Sequence, residues 1–265
     1  MGKIIAFTNQ KGGVGKTTSC INIASYLAQA DKKVLLVDID PQGNSTTGLG
    51  IEKNKVEHSV YDVMAGDIQD AAKAVVGTSV DNLFILPANI NLAGAEVELV
   101  YMEERERILK RAMRMLKNEY DYICIDCPPS LGLLTINALT AADGVVIPIQ
   151  CEFYALEGLS QLMNTIYLIK KQLNPKLEVE GIVLTMYDSR NKLNKQVVEE
   201  IYKFLGKKVF NTFIPRNVKL SEAPSFGVPI MIHDRKCAGA RAYEMLTREF
   251  LKREENNTRE INTHE

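Results

Sequence analysis

The chain lacks a large net charge: 32 Lys and Arg stand against 33 Asp and Glu, a balance of −1 over 265 residues. It is therefore no polycation, and any nucleic-acid contact must come from a local patch. It lacks an apolar run approaching 18 residues, so no membrane-spanning helix is expected. It lacks internal repeats and any Pro/Gly/Ser linker, so one domain is expected. The five cysteines are odd in number and scattered, at Cys20, Cys124, Cys127, Cys151 and Cys237. No secretory pattern precedes them, because Met1-Gly2-Lys3 runs straight into the strand-like IIAFT. Free thiols in a reducing cytoplasm are the expectation. Myristoylation at Gly2 is disfavoured by Ala at position 6, where that signal has Ser or Thr. Cys124 and Cys127 form a C-x-x-C, yet residues three apart on a strand point to opposite faces. A closed metal site also needs about four ligands, so Cys124 is read as a small core residue.

What remains is an ordinary globular composition, 46% hydrophobic and 25% charged, in a chain long enough for a large core. Short β-branched runs at 3–9, 33–40, 82–88, 120–126, 144–150, 180–187 and 208–214 read as strands. Helical stretches are expected at 17–30, 58–65, 67–75, 103–119, 131–141, 155–172, 192–205 and 238–255. Apolar strands alternating with helices predict the α/β class: a single-domain, mostly parallel twisted sheet with helices on both faces. The last ten residues, NNTREINTHE, hold one aliphatic side chain, Ile261. They are expected to form a disordered polar tail, 256–265, after a domain spanning 1–255.

The densest motif is NQKGGVGKTT, Asn9 to Thr18. The general phosphate-loop pattern is G-x-x-x-x-G-K-[ST]. Gly15, Lys16 and Thr17 fit its second half, but the first glycine should fall at position 10, which is Gln. The motif is thus a degraded loop or a version in which Lys11 has its own task. Strand, loop and helix follow in the required order. Successive N–H groups and a helix N-terminus cradle phosphate oxygens, and Gly12, Gly13 and Gly15 permit close approach. Lys16 is placed to reach the β- and γ-phosphates and Thr17 to ligate Mg²⁺. Ligands in such sheets bind beyond the carboxyl ends of the strands. Two further strands end there in acids, the second in Asp38-Ile39-Asp40 and another in Asp126-Cys127-Pro128-Pro129. One Asp after a strand is equally a turn former; three converging on one phosphate loop point to the metal side of an ATPase.

KGGVGKTT, VLLVDIDPQGNST and YDYICIDCPPSLG together resemble the deviant Walker ATPases, a branch of the P-loop NTPases. CEFYALEGLSQL and IPRNVKLSEAPSFG narrow the resemblance to the ParA/Soj group of chromosome- and plasmid-partitioning ATPases, in register from about residue 2 to 250. The resemblance implies that Lys11 reaches across a two-fold homodimer to the phosphates of the partner's ATP. It implies that Lys11 to Thr18, Val14 and Thr18 included, wrap the nucleotide. Asp40 is expected to orient the attacking water. Thr17 and Asp126 are expected beside Mg²⁺, with Asp38 behind them. Pro215 and Asn217 are expected at the adenine, and the loop from Pro128 is expected to read the γ-phosphate. The implied partners are non-specific double-stranded DNA and a ParB-like centromere-binding protein, in a cytoplasmic, nucleoid-associated protein.

Two relatives of other classes share the loop. The membrane-associated MinD-like proteins end in an amphipathic helix. Tyr243, Leu246 and Phe250 have helical spacing here, but the polar tail follows, so packing on the chain's own core is expected. The iron–sulfur relatives need cysteine ligands that this chain does not supply. For DNA, residues 186–241 hold eleven basic and five acidic side chains, a net +6 in a chain of net −1. Such a run is also compatible with solvated helix faces. The resemblance places Arg190 and Arg216, with Lys219, where the group binds duplex DNA without sequence preference. No helix-turn-helix is evident, so the expected contacts are phosphates.

Overall fold

The computed structural model describes residues 2–152 and 155–262. The described residues build a seven-stranded sheet from β1 (Lys3–Phe7), β2 (Val34–Asp38), β3 (Val76–Gly77), β4 (Leu83–Leu86), β5 (Tyr122–Asp126), β6 (Gly144–Gln150) and β7 (Glu178–Thr185), in the order β3-β4-β2-β5-β1-β6-β7. All neighbours are parallel except the short β3, which runs antiparallel to β4. β2 and β5 are buried at every residue, as strands covered on both faces must be. The side chains of β1, β2 and β5 alternate between two cores. Ile4, Leu35, Val37, Ile123 and Ile125 point to one, and Ile5, Leu36, Tyr122 and Cys124 to the other.

The second core is closed by α1 (Lys16–Gln29) and α11 (Ala238–Asn262). Tyr243, Leu246 and Phe250 are at most 2% exposed. The apolar stripe of α11 therefore packs inward, as the sequence predicts. The first core is covered by α3 (Val60–Ala65), α4 (Leu92–Leu99), α5 (Ile108–Leu116), α6 (Leu133–Ala141), α7 (Ala155–Gln172) and α8 (Lys192–Leu205). Short helices α2 (Asn44–Gly48), α9 (Val218–Glu222) and α10 (Ile230–His233) lie in the connections.

Four expectations need correction. The strand at 208–214 is absent, and that stretch makes isolated bridges, Val209 to Ile182 and, just beyond it, Pro215 to Tyr187. Phe210 turns inward over Gly181, where an added Cβ would lie 2.3 Å from its ring, and Pro215 has no N–H to donate. The helix at 67–75 shrinks to a 3-10 turn, Ala71–Ala74, because Gly66 in the left-handed region (φ 87°) ends α3 and Asp70 restarts the chain as a cap. The helix at 103–119 begins with a 3-10 turn and is α-helical only over Ile108–Leu116. The helix α11 continues to Asn262, so residues 256–262 extend it in place of the expected disordered tail. Adding a residue to an existing helix is far easier than starting one. Residues 263–265 of that tail, and Phe153 and Tyr154 of the CEFYALEGLSQL motif, lie outside the described residues.

Candidate active site

The strand order decides where the polar residues meet. β2, β5 and β1 are neighbours, with Asp38 registered on Asp126 and Asp126 on Phe7. The loop after Phe7 therefore rises beside both acids. Two of its glycines, Gly13 (φ 73°) and Gly15 (φ 84°), occupy the left-handed region, which side chains resist. Gly15 is the N-cap of α1, so the free N–H groups of that helix open onto the loop. Two contacts brace it from outside. Asn9, nearly buried, donates to the Pro148 carbonyl (2.7 Å) and accepts from Lys11 N–H (3.0 Å). Thr185, at the end of β7, donates to the Val14 carbonyl (2.8 Å).

The two lysines of the loop are treated differently. Lys16 is 6% exposed and its ammonium donates to the Lys11 carbonyl at 3.1 Å. Burial pulls its pKa down, opposed by Asp126, Cys127 and Asp40. Lys11 is exposed and turns away from its own loop to pair with Glu152. Gly12, between loop and solvent, has no positive φ, and a Cβ there would meet nothing within 4 Å.

The acids also divide. Asp38 is completely buried and satisfied by the chain: Thr46 donates to its Oδ2 from N–H (2.8 Å) and hydroxyl (2.7 Å), and Asp40 N–H donates to Oδ1 (3.2 Å). Asp126, equally buried, receives the Ser45 hydroxyl on Oδ2 (2.7 Å), while its Oδ1 has no hydrogen-bond partner. Burial raises the pKa of both; Asp126 adds to the rise at Asp38, while Ser45, Thr17 and Lys16 pull Asp126 back. Asp40 is 6% exposed and uses Oδ1 to hold Gln42 N–H (2.9 Å). An orphaned buried carboxylate oxygen beside a hydroxyl fits a hard cation that keeps waters and ligand oxygens as its other partners. Among the described residues no group of three or more His, Cys, Asp or Glu could hold an ion by itself. All five cysteines are free, and Cys124 and Cys127 are wholly buried.

Two adjoining cavities share Gly15, Thr18 and Met186. One, about 280 Å³, is lined by Gly12, Gly13, Lys16, Thr17, Asp40 and Pro129. The other, about 320 Å³, is lined by Ile214, Pro215, Asn217, Leu220, Pro224 and Tyr243. One is walled by the phosphate loop with Lys16 and Asp40, the other mostly by apolar side chains, and together they suit the two ends of a nucleotide. Asn217 caps α9 by accepting Lys219 N–H at 2.9 Å, which leaves its amide N–H₂ for a ligand.

Arg190 and Arg216 come together on neighbouring loops, tied by Tyr187 N–H to the Ile214 carbonyl (3.0 Å). Arg190 is 88% exposed and grips Asp188 with two N–H groups (3.0 and 2.8 Å). Arg190 first, and Arg216 more weakly, pull the Asp188 pKa down to about 2. Lys219 is paired with Glu222 at 2.8 Å. Sequence reasoning missed Asn9, Ser45, Thr46, Glu152 and Thr185. For Ser45 and Thr46 the available signal is the polar run NSTT, three residues after Asp40.

The model of the AAA domain family matches residues 2–179. Soj of Bacillus subtilis (strain 168), the sporulation initiation inhibitor protein, is 60% identical over 94% of this chain and 98% of its own length. The chromosome-partitioning ATPase Soj of Treponema pallidum (strain Nichols) is 54% identical over 96% of this chain and 99% of its own. A solved structure of cobyrinic acid a,c-diamide synthase from Mycobacterium smegmatis, with bound ADP and magnesium, is 38% identical and superimposes with a TM-score of 0.85 over 97% of each chain. The sheet of this chain is that of a P-loop NTPase, and its identity to the two Soj proteins is higher than to that synthase. The chain belongs to the Soj/ParA family of chromosome-partitioning ATPases.

Proposed function

We propose that this chain is an ATP-driven switch for DNA partitioning, working in the cytoplasm on the nucleoid. ATP with Mg²⁺ closes a face-to-face homodimer, and the closed dimer joins two basic loop pairs into one surface that holds duplex DNA without sequence preference. Hydrolysis, stimulated by a ParB-like centromere-binding protein, releases it. The observation that carries this reading is the division between the lysines. Lys16 is buried in its own phosphate loop, while Lys11, five residues earlier, is exposed and turned outward. Lys11 is held by an exposed ion pair with Glu152 and not by its own loop, so opening that pair frees its charge for a second subunit's phosphates. The bare backbone at Gly12, which the fold of one chain does not require, suits a second backbone laid against it. Such an arrangement is isologous, each subunit giving one lysine and receiving one.

The residues take the following roles. Gly13, Val14, Gly15, Thr17 and Thr18 offer N–H groups to phosphate oxygens, and Lys16 neutralises them. Thr17 and the free Oδ1 of Asp126 would hold Mg²⁺, with Asp38 behind, fixed by Thr46. The ion supplies charge neutralisation on the phosphate oxygens. Asp40 orients the attacking water, and Lys11 brings positive charge to the neighbour's phosphates where it develops in the transition state. Pro215 and Asn217 hold the adenine. Arg190, Arg216 and Lys219 face DNA phosphates, which must displace Asp188 and Glu222 from their present ion pairs. Among the described residues no helix is long and apolar enough to cross a membrane, and α11 spends its apolar stripe on the core.

Sedimentation with ATP and Mg²⁺ tests the proposal. Lys16→Ala is expected to lose nucleotide binding. Lys11→Ala is expected to bind ATP as a monomer with near-normal affinity and to form no dimer. A Lys11→Ala chain that dimerises like the wild type would show that the residue acts within its own subunit and would end the face-to-face reading.

A further inference from the structure

Asp40 stands at the head of a short turn, Asp40-Pro41-Gln42-Gly43, that is fixed at both ends. At its entry the Asp40 N–H donates to Asp38 Oδ1 (3.2 Å). At its exit Gly43 is the N-cap of α2, and its carbonyl accepts the N–H (3.1 Å) and the hydroxyl (2.9 Å) of Thr47. Inside the turn Gln42 N–H donates to Asp40 Oδ1 (2.9 Å) and Gly43 N–H to the Asp40 carbonyl (2.8 Å). Asp40 and Gln42 both line the phosphate-side cavity. The aim of the Asp40 carboxylate therefore depends on how two backbone peptides of the turn are oriented.

The peptide between Gln42 and Gly43 is the soft point. Gly43 lies in the left-handed region (φ 62°), and glycine takes up positive and negative φ about equally readily. A half-turn of that peptide would take the Gly43 N–H off the Asp40 carbonyl and open the turn that presents Gln42 N–H to Asp40 Oδ1. One side chain opposes it. Lys53, half-buried in the segment after α2, donates its ammonium to the Gln42 carbonyl at 2.8 Å. Its stem lies over Gly43, where an added Cβ would be 3.1 Å from Lys53 Cδ. The oxygen that Lys53 holds and the N–H that Asp40 holds are the two ends of one peptide group. A cation on the oxygen polarises that group and strengthens the hydrogen bond at its other end. Lys53 has no ion pair among the described residues; Glu52 beside it is paired with Lys55 at 2.7 Å. Lys53 also stands outside the lining of the phosphate-side cavity.

We propose that Lys53 is a positioning residue for ATP hydrolysis. It locks the Gln42–Gly43 peptide in one orientation and so keeps the Asp40 carboxylate aimed into the phosphate-side cavity. Gln42 N–H occupies Oδ1, which leaves Oδ2 for the attacking water. This role rests on the one proposed for Asp40. Lys53 touches neither the nucleotide nor the water, and everything it does for the reaction passes through the turn.

Single-turnover hydrolysis by the full chain saturated with ATP and Mg²⁺ tests it, with ATP affinity and sedimentation measured alongside. Lys53→Met keeps the stem over Gly43 and removes the ammonium. It is expected to bind ATP and to dimerise within about twofold of the wild type, while the hydrolysis rate falls roughly tenfold, the scale of one charge-assisted hydrogen bond near solvent. Lys53→Arg puts a cation back within reach of the same carbonyl and should recover most of the rate. The Asp40→Ala/Lys53→Met chain should be no slower than Asp40→Ala alone, because Lys53 acts through Asp40. If Asp40→Ala is slow but Lys53→Met hydrolyses at the wild-type rate, the role of Lys53 is overturned and that of Asp40 stands. Losses that multiply in the double variant also overturn it, since the ammonium would then act on the phosphates itself. So does a Lys53→Met chain that loses the ATP dimer, which would assign Lys53 to the interface. Asp40→Ala at the wild-type rate would instead end the role of Asp40, and the role of Lys53 with it.

Discussion

Thr46→Val is the substitution whose cost the structure sets most directly. Valine keeps the shape of threonine and deletes one hydroxyl. That hydroxyl donates to Asp38 Oδ2 at 2.7 Å and accepts the Ala88 N–H at 2.9 Å, all three groups being buried. A hydrogen bond to a charged group contributes about 1.5–3 kcal/mol, and a buried N–H left without a partner costs about 1–3 kcal/mol. Burial and Asp126 push Asp38 toward its neutral form, so the lower end applies to the first figure. Asp38 also keeps the backbone N–H groups of Thr46 and Asp40. The expected loss is about 3 kcal/mol, a large part of the ~5–15 kcal/mol that holds a domain together. Thr46→Ser retains the hydroxyl and deletes a methyl, so it should cost about 1 kcal/mol. Urea denaturation of the nucleotide-free chain, followed by circular dichroism, measures both. A Val variant within about 0.5 kcal/mol of wild type, below any partial loss of that bond, would refute the reasoning. A Ser variant as unstable as Val would refute it equally, because the methyl and not the hydroxyl would then be what matters.

Glu152→Gln releases Lys11 from its partner within the chain. Both side chains are nearly half exposed, so each pair contributes at most ~1 kcal/mol, and the ATP dimer should tighten by up to about fivefold for each pair released. Sedimentation against protein concentration checks this, and a weaker dimer would mean that Glu152 helps Lys11 across the interface instead of competing for it. Gly181→Ala places a Cβ 2.3 Å from the Phe210 ring, which is 1% exposed; overpacking of this kind costs about 1–3 kcal/mol, read in a thermal melt. Phe210→Leu in the same chain should recover part of that loss, and no recovery would place the strain elsewhere. Arg190→Glu and Arg216→Glu should each weaken binding to arbitrary duplex DNA severely while leaving the ATP dimer intact. Wild-type affinity should fall with salt by about 0.9 log unit per neutralised phosphate for each decade, and a flat response on two unrelated duplexes would contradict phosphate recognition.

The α/β alternation, the phosphate loop and the three strand-end acids are legible because each rests on a local pattern. A short β-branched run such as VLLVD, too brief for a helix, reads as a covered strand, and a glycine loop leading into a helix announces itself. What a local pattern cannot carry is the partner of a residue. Phe210 sits in a run that reads as a strand; it keeps a backbone bond to Ile182, but its ring packs over a side-chain-free position, Gly181, 29 residues earlier, and the run bridges β7 only at isolated points. The outward turn of Lys11 depends on Glu152, 141 positions away.

The clearest case is α2, which no periodicity reveals because NSTTG has no apolar residue to repeat. Its five residues nonetheless join every part of the site. Ser45 holds Asp126, and Thr46 holds Asp38 and the segment after β4. Gly48 lies against α1, where a Cβ would be 2.7 Å from Ile21 Cδ1. Just beyond, Gly50 meets Gly227, whose own Cβ would fall 2.7 Å from the Gly50 Cα, and Gly227 closes the turn that follows Pro224 of the base-side cavity. Polar residues are required at 45 and 46 because the acids are buried and need donors, glycines at 50 and 227 because two backbones meet there, and a glycine at 48 because the Ile21 side chain lies against it. A five-residue helix is too short to be stable on its own propensity. It is held by the carboxylates it satisfies, so the phosphate side and the base side of the site are fixed to one another by a helix of which only Asn44 lines either cavity.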